Sequence, residues 1–256
     1  YWVWELSEFP VEWQISFKYL DEVWVPSKFV LDSISRVSPI PVVCIPHSVK
    51  VTPEDLKMPK NHVAFGISPE YYVFLFVFDF HSFMARKNPL GLIKAFKKAF
   101  STKDKAVLIL KCSHAESCPE EFYQMEQLAR GHNIRIINKV LESEEIKTLF
   151  AAADCYVSLH RSEGFGLTMA EAMALGKPVI ATAYSGNMDF MTPSNSYLVK
   201  YSLTEIDRDY GPYKKGMVWA EPDIDDAARL MRYVYENQDE ARCVGAIAAN
   251  YYEGTF

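Results

Sequence analysis

The chain has 256 residues, 49% of them hydrophobic and 23% charged, a balance that points to a folded globular protein and away from disorder. Its net charge of −6 disfavours general attraction to nucleic acid or to anionic membranes, so an anionic ligand must be held by local charge. The longest apolar run, YYVFLFVF at 71–78, has the length of a buried strand and is too short to span a bilayer.

The opening YWVWELSEFP lacks Met and is already strand-like, so the chain reads as a fragment of a longer protein, with no secretory leader in view. After Pro10 the pattern predicts a helix, a short strand in DEVWVPS and a second helix capped by Ser27. PVVCIPHSV is a further apolar run bounded by prolines. Pro53, Pro59 and Pro69 then mark 51–69 as a linker between two lobes.

Beyond the linker, strands and helices alternate. Strands are predicted at 72–78, 106–111, 134–137, 155–159 and 178–182, and helices at 89–100, 120–131, 143–152 and 169–175. Ser143 is the expected cap of the third of these helices, Gly176 closes the fourth, and 223–252 reads as mostly helical. Short apolar strands between amphipathic helices define an α/β class with a parallel sheet covered on both faces.

Such sheets bind ligands at the carboxyl ends of their strands, beside helix N-termini. The stretch SLHRSEGFGLTMAEAMALGKPVIAT, residues 158–182, sits at one of those ends. Gly164 and Gly166 allow a close approach of backbone N–H groups to a diphosphate or sugar. Glu163 and Glu171 are acceptors suited to ribose and hexose hydroxyls. Simpler readings compete: Glu163 as a solvated loop acid, and Thr168–Glu171 as a capping box. The five cysteines are scattered and read as free thiols in a reducing, cytoplasmic setting. None of the six histidines has metal spacing on a helix, so neither a metal nor a cofactor is expected. His160 and Trp219 read as packing residues, Lys111 as a solvated strand-end lysine, and Glu5 as either a cleft or a rim carboxylate.

EGFGLTMAEAMALGKPVIAT resembles the donor-site signature of glycosyltransferase family 4, the retaining enzymes of GT-B fold, with its glutamates separated by seven residues. The resemblance extends through RKNPLGLIKAFKKAF, AADCYVSLHRSEGFG, YLDEVWVPSKFV and PVVCIPHSV. It implies that 1–50 is the C-terminal part of an acceptor-side Rossmann-like domain. Residues 51–256 would be the Rossmann-like donor domain with C-terminal helices. Glu163 would contact the transferred sugar, Gly164, Phe165, Gly166 and Leu167 would line sugar and diphosphate, and Glu171 would hold the ribose. Lys87 would hold the diphosphate, with its neighbour Arg86 either a substitute or merely the start of the next helix, since Asp79 stands about where family members carry an Arg. The base would lie near 138–145, around Val140.

The implied activity moves a sugar from a nucleotide-diphosphate sugar to a glycan, lipid-linked or other hydroxyl acceptor. Peripheral membrane association through the preceding N-terminal domain stays open, and nucleic acid is not an expected partner. The alternatives are a nucleotide-sugar-binding module without transfer and a sugar-nucleotide epimerase of the same fold, and the signature favours transfer over the second.

Overall fold

The structure, a computed structural model, describes residues 1–253. Its centre is a six-stranded, all-parallel sheet. Five of the strands are β3 (Tyr72–Val77), β4 (Ala106–Cys112), β5 (Ile134–Asn138), β6 (Cys155–Ser158) and β7 (Val179–Thr182). The sixth, β8 (Tyr197–Val199), was not anticipated. The spatial order is β5-β4-β3-β6-β7-β8, so the direction of winding reverses between β3 and β6. This is the doubly wound arrangement, and the reversal opens a crevice at the carboxyl ends of those two strands. Every residue of β4, β6 and β7 is buried, as strands covered on both faces require.

Helices α4 (Pro89–Ala99), α5 (Pro119–Ala129), α6 (Ser143–Ala152) and α7 (Leu167–Ala174) connect the strands, and α8 (Ile224–Glu236) and α9 (Gln238–Glu253) follow. The cap of α6 is Glu142, not Ser143: Glu142 and Glu145 form a reciprocal capping box one residue earlier than expected. At α7 the expected Thr168 cap is also absent. Gly166, at φ 96°, is the N-cap, and the Thr168 hydroxyl accepts a 2.8 Å hydrogen bond from Tyr156 instead. The helix begins two residues before the local pattern suggested.

The first 44 residues carry β1 (Val23–Val25), paired in parallel with β2 (Val42–Cys44) across α1 (Lys28–Ser35), and a short helix α2 (Pro53–Leu56) follows. Ser27 caps α1 as expected, accepting from Val30 N–H. Residues Val11–Tyr19 form a 3-10 helix in place of the expected α-helix. A second apolar cluster joins Trp4, Phe9, Phe17, Val25 and Ile34 to Ile206, Tyr213 and Trp219. The last three come from around a hairpin of β9 (Tyr201–Glu205) and β10 (Val218–Pro222) that was likewise not anticipated. All five cysteines are free. Among the described residues, no helix is long and apolar enough to cross a membrane.

Candidate active site

Three loops leave the sheet at its carboxyl edge and meet at the crevice. The β3 exit contains a short helix α3 (Met84–Lys87), which ends at Asn88 in the left-handed region, and this places Arg86 and Lys87 side by side facing β6. The loop is fastened to the β6 exit in two ways. Asn88 Nδ2 donates to Leu159 O at 2.9 Å, and Arg86 O accepts from Arg161 N–H at 2.8 Å. Arg161 is itself tied down, donating to Glu221 at 2.7 Å while its guanidinium lies 5.3 Å from the Trp219 ring. The four non-glycine residues with positive φ among those described, Phe83, Asn88, His114 and Ser185, all lie on carboxyl-edge loops. Strain of about 1–3 kcal/mol per residue is characteristic of sites whose geometry is imposed by surrounding packing.

Glu163 is at the centre and is buried, so the solvated-acid reading fails. Lys87 Nζ donates to Glu163 Oε1 at 2.5 Å, and Arg86 Nη1 lies 3.2 Å from Glu163 Oε2. Arg86 also donates to Ser162 O at 2.8 Å and lies 3.6 Å from Glu5, which accepts a 2.9 Å hydrogen bond from the Tyr213 hydroxyl. Glu5 therefore belongs to the cluster. Arg86 Nε is buried and has no acceptor among the described residues. Burial alone would raise the Glu163 pKa, but the charges of Lys87 and Arg86 outweigh it and hold the carboxyl at about 2. Burial likewise opposes the Arg86 charge, and Glu163 with Glu5 more than offsets it, so its pKa is raised.

The glycine turn behaves differently from expectation. A Cβ on Gly164 would meet Val3 Cγ1 at 2.5 Å, and one on Gly186 would meet Gly164 O at 2.2 Å. Gly164 is thus required by protein packing, and its carbonyl accepts from Ser27 Oγ at 2.6 Å. The Phe165 ring is buried against Phe190 at 5.1 Å and His47 at 5.2 Å, so only its backbone can face a ligand. Leu167 is partly exposed at the first position of α7. No side chain among the described residues caps α7; Met169 N–H donates to Gly166 O at 3.0 Å, which leaves the N–H groups of Leu167 and Thr168 for an acceptor.

The Glu171 carboxylate, one turn into α7, makes no hydrogen bond or ion pair among the described residues, and burial raises its pKa. Val140 lies exposed beyond β5, on the same edge of the sheet but two strands away from β3. Lys111 is buried, contrary to the solvated reading. Its ammonium has no hydrogen-bond partner among the described residues, and burial lowers its pKa.

Sequence reasoning missed Ser185, whose Oγ accepts from Glu163 N–H at 2.8 Å, and Tyr213. The YSGN stretch after β7 was the available signal for the first, because a serine and glycine at a strand exit suit a tight turn. His160 packs as expected: it is fully buried, with Nε2 3.1 Å from Asn187 Oδ1 and Nδ1 3.0 Å from Ser158 Oγ.

Solved structures of glycosyltransferases share this fold. The sucrose-phosphate synthase of Thermosynechococcus elongatus superposes with a TM-score of 0.72 at 19% identity, over 94% of this chain and 56% of its own. The Anabaena protein HepE, in complex with UDP and glucose, does so with a TM-score of 0.66 at 17% identity, over 94% and 61%. The chain belongs to the glycosyl transferases group 1 family, whose model matches residues 58–250. Trehalose synthase from Thermococcus litoralis is 21% identical over 266 residues, covering 95% of this chain. The chain spans 58% of that relative's length.

Proposed function

We propose that residues 51–256 form the donor-binding lobe of a retaining glycosyltransferase and that residues 1–50 are the end of its acceptor-side domain. The reaction moves a sugar from a nucleotide-diphosphate donor to the hydroxyl of a glycan, lipid-linked or other acceptor, in the cytoplasm. The observation that carries this reading is the buried Lys87–Glu163–Arg86 cluster at the point where the sheet reverses. The family match supports the chemistry, and HepE with UDP and glucose bound supports the ligand class.

Departure of a nucleoside diphosphate concentrates negative charge on the β-phosphate as the glycosidic bond breaks. Lys87, Arg86 and the open N–H groups of α7 stabilise that charge in a site where little solvent competes, the kind of preorganised electrostatics that dominates catalysis. Glu163 accepts from sugar hydroxyls, and Glu171, the unpaired carboxylate, accepts from the ribose. No protein nucleophile is required: the acceptor hydroxyl attacks from the leaving-group face and a phosphate oxygen takes its proton.

The cluster's two cations are balanced by Glu163 and Glu5, so a diphosphate meets little excess charge until Glu163 turns to the sugar. The site therefore favours a complete nucleotide sugar over the bare nucleotide. A thermal-shift screen of UDP-, GDP-, ADP- and dTDP-sugars against this chain identifies the donor, and assay of the longer protein with acceptor tests transfer. Sugar transfer that depends on an acceptor supports the proposal. Release of free nucleotide without acceptor indicates an epimerase, and binding without turnover indicates a non-catalytic module.

A further inference from the structure

At the same edge of the sheet, one strand further out, is a cluster the donor reading does not use. Asp79 and His81 come from the β3 exit and His114 from the β4 exit, and one ligand atom from each lies within 4.8 Å of the others. His114 Nδ1 is 2.7 Å from Asp79 Oδ2, and His81 Nδ1 is 3.7 Å from Asp79 Oδ1. The imidazoles stack at 4.3 Å with an interplanar angle of 14°.

The second contacts are those a metal centre needs. His81 Nε2 lies 3.1 Å from Ser117 Oγ, a contact that orients the ring and turns its Nδ1 edge towards Asp79. Asp79 is oriented in turn by the Ser113 hydroxyl at 2.9 Å and by the His81 N–H at 2.8 Å. Outer-shell bonds of this sort fix the tautomer and direction of ligating groups.

We propose that Asp79, His81 and His114 bind a divalent transition ion, Zn²⁺ foremost. Two imidazole nitrogens and one carboxylate suit that class over Mg²⁺ or Ca²⁺, which prefer oxygen-only ligands. The two Nδ1 atoms flank the Asp79 carboxylate, His81 at 3.7 Å from Oδ1 and His114 at 2.7 Å from Oδ2, so an entering ion takes the place of the His114–Asp79 hydrogen bond, and exposure of His81 leaves a fourth position for water. The ion joins the β3 exit loop, which also carries Arg86 and Lys87, to the β4 exit loop. It thus braces the loop that positions the cations of the candidate active site, without taking part in the transfer. The pattern is invisible along the chain because it spans two loops and no helix.

The test is calorimetric titration of Zn²⁺ into the full chain in a Cys243→Ser background, which removes the exposed thiol as a competitor. The expected result is a single site weakened at least roughly tenfold by each of His81→Ala, His114→Ala and Asp79→Asn, and less by Ser117→Ala. Co²⁺ supplies an independent readout: its visible absorption should appear in the parent and vanish in His81→Ala. His81 is exposed, so that variant is expected to keep its fold, which its circular dichroism checks. Absence of Zn²⁺ binding in the parent, or binding that none of the three substitutions alters, overturns the proposal.

Discussion

Glu163 and Glu171 are two carboxylates on one short segment of chain, and the protein treats them in opposite ways. Glu163, in the turn, is paired with two cations and its pKa falls to about 2. The Glu171 carboxylate, one turn into α7, has no partner among the described residues and burial pushes its pKa up. Burial alone would raise both, so the contrast comes from Lys87 and Arg86, which the β3 exit loop delivers to one glutamate and not to the other. Proximity in sequence therefore says little about the electrostatic state of a carboxylate. Glu163 is already committed to protein partners, and Glu171 is an acceptor still to be matched.

The largest expected effect tests the committed half. Glu163→Gln leaves the partly buried Lys87 without its counter-charge and buried Arg86 with Glu5 alone at 3.6 Å, and breaking such a pair costs about 3 kcal/mol. For a chain of this size the melting temperature should drop by roughly 6–12 °C, which calorimetry measures. This replaces the simpler expectation that a turn carboxylate contributes little to folding. In the longer protein, transfer should fall as well.

The pH dependence separates the two residues by sign. Glu163 falls from 4.5 to about 2 on folding, a contribution of about 3 kcal/mol. That stability is present above the unfolded value and is lost as the pH falls from about 4.5 towards 2. Denaturant titrations across this range should show a steep loss in the parent and a much flatter one in Glu163→Gln. Glu171 has the opposite linkage: its ionised form is unfavourable in the fold, and that cost is relieved as the pH drops through its raised pKa.

A smaller effect is expected at Ser27, which joins the turn to the first 44 residues. Its hydroxyl donates to Gly164 O and accepts from Val30 N–H at the start of α1, so Ser27→Ala should cost about 1–2 kcal/mol. The smallest change in stability is expected at Glu171. Gly166 caps α7, so no cap is lost in Glu171→Gln, and stability should stay within about 0.5 kcal/mol of the parent or rise slightly. Its effect belongs to binding: affinity should fall for a ribonucleoside diphosphate and stay unchanged for the 2′,3′-dideoxy form. Equal losses for both ligands would end the assignment of Glu171 to the ribose.

Much of the sheet was readable in the chain because β3, β4, β6 and β7 are continuous apolar runs bounded by turn residues. β8, β9 and β10 were not. β8 has three residues, and β9 is mostly exposed and finds its partner across a long connection, so neither carries a burial pattern. Lys87 and Glu163 could be paired from the resemblance, and the structure brings them together. Glu5 was left between cleft and rim, and Ser185 and Tyr213 could not be reached, since their contacts depend on how distant loops meet at the crevice. The capping box at Thr168 shows the limit of a local motif. Its spacing is right, but Gly166 starts the helix earlier and Tyr156 occupies the hydroxyl.

The most direct test of the central claim is a calorimetric titration of the nucleoside diphosphate selected by the donor screen into the parent, Lys87→Ala and Glu163→Gln, at low and at high salt. If this cluster is the diphosphate site, removing Lys87 weakens binding and removing the Glu163 charge strengthens it. Each change should be about tenfold at low salt and smaller at high salt, because a partly buried charge acting over a few ångströms contributes on that scale and is partly screened. Opposite shifts of this kind are the predicted result. Equal affinity in all three proteins, or a loss in Glu163→Gln matching that in Lys87→Ala, would contradict the account.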